Sequence, residues 1–320
     1  MTRLGYQIPN FTYPGIGPAG IFPNLVKQAQ AAEAAGFDRV LLMDHFYQLP
    51  GIGNPDDYML ECYTTLAALA QHTTTVRLSA LVTGNTYRNP AVLAKIITTL
   101  DLVSDGRASL GIGSGWFEME HDAFGIPFNT FTERFEKLEE ALNIIIPMLR
   151  GERPTLSGKH YSVTDAINSP APLSNVPVMI GGSGEKKTLR MVAQYADESN
   201  LICNNADIPR KLDALAAHCE QLGRDRSEIK VTKLLMMVIG ETMEAAEGYA
   251  REFVANHGWP AEVFDLMKPR LLMGDPDTIG EAITELKELG LDGVTLNLPA
   301  SAHDTDSIAL AGQTVGAIFD

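Results

Sequence analysis

Short apolar runs recur along the chain and alternate with longer stretches in which apolar residues return every three or four positions. The runs are LGYQI from Leu4, RVLLM from Arg39, VRLSALV from Val76, RASLGIG from Arg107, VPVMIG from Val176, SNLIC from Ser199, KVTKLLMMVIG from Lys230 and GVTLNL from Gly293, which makes eight expected strands. Helical spacing marks LVKQAQAAEAAG, YTTLAALAQHT, AVLAKIITTLDLVS, RFEKLEEALNIIIPML, KTLRMVAQYA and IGEAITELKELG. Strands separated by crossover helices pair in parallel, so the pattern predicts an α/β protein. Eight such strands favour closure into a (β/α)8 TIM barrel over the alternative, an open doubly wound sheet in two domains. One internal echo supports a repeated unit. EAAGFDRVLLM and KELGLDGVTLNL each end a helix at glycine and enter a strand after aspartate.

A barrel of this kind needs about 250 residues, so a chain of 320 carries insertions. They are expected near 114–130, 151–176 and 257–275, where no clean strand or crossover helix is visible. No Ser/Gly or Pro linker divides the chain, and residues 1–320 read as one elaborated domain.

Composition changes this picture only by exclusion. No apolar run approaches the roughly 18 residues of a membrane span, and MTRLGYQIPN lacks a secretory pattern, so a cytoplasmic protein is expected. Cys62, Cys203 and Cys219 form no Cys-x-x-Cys pair, which removes disulfide-framework and thiolate-zinc readings. A net charge of −15 without a basic face argues against nucleic acid and anionic membranes as partners.

Candidate chemistry sits where strands end. PVMIGGSGEKKTLRMVA sets Gly181, Gly182, Ser183 and Gly184 between a strand and a helix, where helix N–H groups and bare backbone favour an anion such as phosphate. The run lacks the Gly-Lys-Ser/Thr of an NTP site and the third glycine of a dinucleotide fingerprint. A tight turn capped by Ser183 is the plainer reading. GIGSGW, from Gly111 to Trp116, suits a backbone bend under a flat ligand with Trp116 as a wall, against simple core packing of the indole. Asp44 and His45 end the second strand, where a carboxylate can accept a ring N–H and an imidazole can move a proton; elsewhere such a pair is a turn or cap. Thr83 to Asn85 end the third strand. Arg88 beyond them is either a charge clamp for substrate or a surface ion pair. Glu118-x-x-His121 has a metal-like spacing but stands alone, so no metal is expected.

DHF after the second strand, LVTGNTYRNPAVLAK, DLVSDGRASLGIGSGWFEMEHDAFGIPF, RFEKLEEALNII and VMIGGSGEKKTLRMVAQYAD together resemble the luciferase-like superfamily, and within it the branch of coenzyme F420-dependent oxidoreductases. The resemblance runs from about Leu4 to Pro299. It implies a barrel with a flavin-like ring across the C-terminal mouth and the cofactor phosphate at Gly181 to Gly184. It implies His45 as the catalytic proton-handling group, with Asp44, Val82, Thr83, Gly84, Asn85 and Trp116 around the cofactor. It also implies a non-proline cis peptide involving Leu81, Val82 or Thr83. Arg88, Glu118 and His121 are the residues expected to reach substrate. Trp116 stands where sugar-phosphate dehydrogenases of the superfamily carry a catalytic glutamate after GTG, so their substrate is not carried over. The implied activity is hydride transfer between F420 and a small organic substrate. Monooxygenation with oxygen and reduced FMN, the flavin reduced by a flavin reductase, is the alternative, and a non-catalytic flavin or deazaflavin binder is a third. A homodimer is the expected assembly.

Overall fold

The computed structural model describes residues 3–319. In chain order, β1 (Leu4–Ile8), α1 (Pro18–Ala34), β2 (Arg39–Leu42), α2 (Cys62–Ala70), β3 (Arg77–Ala80), β4 (Thr83–Gly84), α3 (Pro90–Val103) and β5 (Leu110–Gly113) lead to α4 (Glu118–Phe124) and α5 (Phe131–Leu149). An antiparallel hairpin of β6 (Leu156–Ser157) and β7 (Ser162–Val163) precedes β8 (Val178–Gly181), α6 (Thr188–Tyr195), β9 (Glu198–Leu201) and α7 (Ile208–Leu222). The last third holds β10 (Lys230–Ile239), α8 (Met243–Asn256), α9 (Val263–Met267), β11 (Leu272–Gly274), α10 (Pro276–Glu288), β12 (Gly293–Asn297) and α11 (Asp306–Val315).

Each expected apolar run contains a strand; the run from Val76 holds β3 and ends at a cis Leu81–Val82 peptide, just beyond which β4 begins. Helices begin where side chains replace missing backbone partners. Thr130 and Glu133 form a reciprocal capping box on α5, Asn89 Oδ1 accepts from Ala91 N at 2.9 Å before α3, and Asp275 Oδ1 accepts from Thr278 N at 2.9 Å before α10. Several elements escape the apolar pattern. Helix α8 buries Ala246, Ala250, Phe253 and Val254, a stripe half made of alanine, and β11 and α4 are too short to show a period.

The described residues fall into two compact units. The first takes in the chain up to Leu60, Leu201–Pro209 and the chain from Lys230. Its parallel strands lie in the order β2, β1, β12, β10; Thr232 to Met236 of β10 pair with β12, and Met237 to Ile239 pair with β11. Every residue of β1, β2 and β12 is buried, as expected of strands covered on both faces. The second unit holds Glu61–Asn200 and Arg210–Ile229, with β4, β5, β8 and β9 parallel in that order and β3 bridged to the chain just before β5 through Leu78 and Ala108.

The glycine–aspartate echo has a physical cause. Asp38 N–H donates to Leu4 O at 2.9 Å while its Oδ2 accepts from Leu4 N at 3.0 Å, so one residue before β2 holds both polar groups at the start of β1. Asp292 grips Val231 in the same way at 2.8 and 2.9 Å, fixing β12 against β10. A third copy, unmarked by glycine, is Asp197 on Val178, at 2.8 Å in both directions, which fixes β9 against β8. Among the described residues no helix is long and apolar enough to cross a membrane.

Candidate active site

Three neighbouring strands of the second unit end in glycine. Gly84 is in register with Gly113, and Ile112 pairs with Ile180, which brings Gly181 alongside Gly113; Gly181 in turn pairs with Asn200. The missing side chains make room for Val82. A Cβ on Gly113 would stand 3.0 Å from Val82 Cγ2, and one on Gly181 would stand 2.9 Å from Val82 Cγ1. Within the buried stretch Leu81–Asn85, Val82 alone is partly exposed, so its isopropyl group caps the bare backbone as an apolar floor. Behind it the Tyr63 hydroxyl hydrogen-bonds the buried Thr83 hydroxyl. Asn85 is 2% exposed, and its side-chain amide faces the Tyr161 phenol without a well-formed hydrogen bond from Nδ2. Burial pushes the Tyr161 phenol up, and Asn85 pulls it partly back. A flat ring with a polar edge suits this arrangement: an apolar floor, a bare backbone row and a buried amide donor.

The loop after β8 continues from that row. Gly182 has φ of +116°, a conformation for glycine alone, and Gly182 N donates to Asn200 O at 3.0 Å. Glu185 is then tied down by α7: Lys211 Nζ lies 2.6 Å from its Oε1, Arg210 pairs with the same oxygen, and His218 Nε2 lies 2.8 Å from its carbonyl. Hydrogen bonds from Lys211, with the charge of Arg210, hold the Glu185 carboxyl below the usual range. Lys187 lies over the rings of Phe131 and Phe135, 5.3 Å from each, and α6 starts at Thr188. The helical run from Lys187 is where the sequence puts it, but Ser183 does not cap it: the cap position is Lys187 and no side chain bonds the first turn; the anchoring of Glu185 was not visible, because its partners lie 25 or more residues away.

The loop after β5 is built differently. Trp116 is 60% exposed and stacks on Phe117 with ring centroids 5.1 Å apart, so it is not a core residue. His121 is fully buried: Nε2 lies 2.7 Å from Thr86 Oγ1 and Nδ1 lies 2.8 Å from Phe117 O, with the rings of Tyr87 and Phe128 on either side. Its neighbour Glu120 accepts from the Tyr87 hydroxyl at 2.5 Å. Glu118 is exposed. Arg88 packs 4.8 Å from the Tyr63 ring centroid and reaches Glu61 Oε1 at 2.6 Å. Although burial opposes it, bonds from Thr64 and Arg88 hold the Glu61 carboxyl low, so the Arg88 charge is compensated at neutral pH. Val82 to Asn85 and Gly181 to Gly184 thus share one group of strand ends, whereas Arg88 and His121 are engaged by side chains of their own surroundings.

In the first unit, Asp44 is 2% exposed and His45 half-buried, both just beyond β2. Gln48 Nε2 donates to Pro9 O at 3.0 Å, folding this loop against the end of β1. Two buried polar residues that the apolar runs concealed stand beside one another here. Asn297 Nδ2 donates to Gln7 Oε1 at 3.1 Å, and Asn297 Oδ1 has no partner within the chain. Polar letters inside LGYQI and GVTLNL were the available signal. Among the described residues no group of three or more His, Cys, Asp or Glu is placed to hold a metal.

Residues 2–293 match the luciferase-like monooxygenase family. The chain is 27% identical to pyrimidine monooxygenase RutA of Acinetobacter baylyi over 88% of its own length and 76% of that protein. It is 32% identical to the F420-dependent glucose-6-phosphate dehydrogenase of Microbacterium testaceum over 62% of its length and 59% of that enzyme. A solved F420-dependent secondary alcohol dehydrogenase, in complex with an F420–acetone adduct, superposes with a TM-score of 0.82 at 19% identity, covering 100% of this chain and 99% of that one. The likeness shows the fold class that the strand–helix alternation predicted, a (β/α)8 barrel with insertions. The chain belongs to the luciferase-like monooxygenase family, a family of oxidoreductases with both F420-dependent and flavin-dependent members.

Proposed function

We propose that the chain is an F420-dependent oxidoreductase that transfers hydride between the deazaflavin and a small organic substrate. The observation that carries this reading is the Val82 floor over Gly113 and Gly181, beside the buried donor of Asn85. It offers a planar ring an apolar face and a polar edge without any rearrangement of the strands. Gly181, Gly182, Ser183 and Gly184, led into α6 and pre-set by the anchored Glu185, would hold the phosphate of the cofactor tail through backbone N–H groups and the Ser183 hydroxyl. When bound, the deazaflavin supplies a ring carbon that gives or takes hydride and reacts poorly with oxygen.

The remaining work falls to the chain. His45 holds or moves a proton at an imidazole nitrogen, so that a carbonyl oxygen gaining negative charge is protonated as hydride arrives at its carbon. The buried Asp44 orients the polar groups around it. Trp116, exposed on the loop after β5, is the wall that shields the ring from water, and the exposed Glu118 beside it is the side chain that meets substrate. Arg88 and His121 support the loops around Tyr63 and Thr86.

The same floor accepts FMN, and the pyrimidine monooxygenase match over 88% of the chain favours a second reading. That reading is oxygen-dependent monooxygenation with reduced flavin delivered by a reductase. Titration of the purified chain with F420 and separately with FMN, followed by fluorescence, discriminates. Tighter F420 binding is the expected result; preference for FMN selects the second reading, and binding of neither sinks both. A homodimer completes the proposal, and a monomer mass by light scattering at working concentration counts against it.

A further inference from the structure

We propose that a cavity of about 190 Å3 in the first unit binds an organic cation with N–H groups on a small apolar body, a protonated primary amine carried by a single ring. The cavity lies among the loops that follow β1, β2 and β12 and the C-terminal end of α8, all within that unit. It therefore shares the β2 loop with Asp44 and His45.

Size comes first. A cavity of about 150 Å3 lined by apolar side chains holds benzene; 190 Å3 leaves room for one ring and a small head group. The aromatic walls of Tyr13 and Phe253 suit a ring, and ring faces attract cations. The cavity is also pre-formed. Tyr13 donates its hydroxyl to Asn10 O at 2.5 Å, and Asn10 Nδ2 donates to Pro299 O at 3.3 Å. Trp259 Nε1 donates to Asn54 Oδ1 at 2.9 Å, and Asn54 Nδ2 donates to His257 O at 3.4 Å, so the β2 loop is fastened to the end of α8.

Charge decides the class of guest. No lysine or arginine lines the cavity. The side chain of its one carboxylate, Asp57, is 17% exposed, so the charge is costly to leave without a counter-ion. Asp57 Oδ2 accepts from Asn54 N at 2.8 Å and lies 3.6 Å from His257 Nε2, beyond hydrogen-bond reach. His257 Nδ1 lies 2.8 Å from Phe253 O, and since a carbonyl only accepts, Nδ1 is the donor. In the neutral ring Nε2 is therefore a lone pair turned toward a carboxylate oxygen. Two acceptors so placed call for a positive donor between them, and either a proton or the N–H of a cation supplies it. Above the ordinary imidazole value of about 6.5, protons are scarce and an ammonium group takes that place. An anion would meet Asp57 with no cation of its own, and a neutral donor would leave the carboxylate charge uncompensated. A metal ion finds no third ligand, because among the described residues no group of three or more His, Cys, Asp or Glu is placed to hold one. Burial holds the His303 imidazole below its ordinary value against the charges of Asp304 and Glu252, so that wall brings two nearby carboxylates and no cation.

The test uses the full chain without cofactor and three ligands of one shape, benzylamine, benzyl alcohol and benzoate, in calorimetric titrations at pH 8 and fixed salt. Benzylamine should bind saturably and at least tenfold more tightly than the alcohol or benzoate. Asp57→Asn should reduce the preference for benzylamine over benzyl alcohol at least fivefold, an effect on charge selectivity that a merely structural role would not produce. Asp56→Asn, which removes the exposed carboxylate next in sequence, should leave that preference within about twofold of the unaltered chain. Absence of benzylamine binding, equal or tighter binding of either other ligand, an unchanged preference in Asp57→Asn, or an equal loss in Asp56→Asn overturns the proposal. Should Asp57→Asn fail to fold, the three-ligand ranking on the unaltered chain, together with Asp56→Asn, decides. Binding of the amine stands apart from the oxidoreductase reading, and the F420 and FMN titrations are separate, so failure of the cofactor reading leaves this outcome readable.

Discussion

The two glycine-rich loops, after β5 and after β8, look alike in sequence and are held in place by different means. In the strand that leads into the first, glycine answers to backbone, since a Cβ on Gly111 would stand 2.1 Å from the Ala80 carbonyl oxygen; in the loop itself Gly115 has φ of +79° and is fastened by Arg134, whose Nε donates to its carbonyl oxygen at 3.1 Å. In the second, glycine answers to conformation and to soft neighbours: Gly182 needs φ of +116°, while a Cβ on Gly184 would press on Thr188, 3.0 Å from its hydroxyl and 3.9 Å from its backbone nitrogen. The first is therefore fixed by close packing of the strand that leads into it and by Arg134 of α5, the second by charge from α7. A glycine motif alone does not say which.

Substitutions should separate the two. Gly111→Ala is expected to have the largest effect, since a backbone carbonyl in a paired strand cannot yield; a loss of about 4 kcal/mol or more in urea unfolding is expected, and a stable variant would refute the packing account. Gly182→Ala should cost about 1–3 kcal/mol from backbone strain and weaken the proposed cofactor binding at least tenfold, whereas Gly111→Ala acts through stability first. Arg134→Met removes the bond to Gly115 and a guanidinium 3.9 Å from the Phe128 ring centroid, with an expected loss of about 1–2 kcal/mol. Glu185→Gln should move the melting temperature least, yet hydrogen exchange at Gly184 to Lys187 should quicken.

The last of these has a pH counterpart. The Glu185 carboxyl is held low in the folded chain by Lys211 and Arg210, so the unfolded chain takes up a proton first as pH falls. The contribution of the pair is complete above the ordinary carboxylate value and disappears as pH falls through the lowered one. Exchange in the β8 loop should therefore quicken in that acidic window, after correction for intrinsic rates, and Glu185→Gln should abolish the change. His303 acts in the same direction at higher pH. Its folded value is depressed by burial, so stability falls as pH drops below about 6.5 towards that value.

Much of the scaffold was legible because parallel strands buried on both faces announce themselves as apolar runs, and β1, β2, β5, β8, β9, β10 and β12 all did so. Helix α8 was silent because alanine gives a weak apolar signal, and the hairpin β6–β7 because each strand has two residues. Residues adjacent in sequence could be read as neighbours: Asp44 with His45, and Gly181 to Gly184. Residues joined only by folding could not. Glu185 meets Arg210 and Lys211 across 25 and 26 positions, and Asn54 meets Trp259 across 205. Arg88 and His121 carry side chains that chemistry prizes, yet their charge or ring nitrogens are engaged by Glu61, Thr86 and Phe117. Spacing along the chain cannot reveal such partners.

The aspartates at 38, 197 and 292 carry a consequence for how such a chain can change over time. A slip of one residue would turn every side chain of a strand to the opposite face, and each aspartate forbids that slip by gripping both polar groups of one residue where the neighbouring strand begins. Register is thus locked at the ends of the strands away from the candidate site. Loops at the other ends can change length without shifting the register of β1, β8 and β10 that these three carboxylates hold.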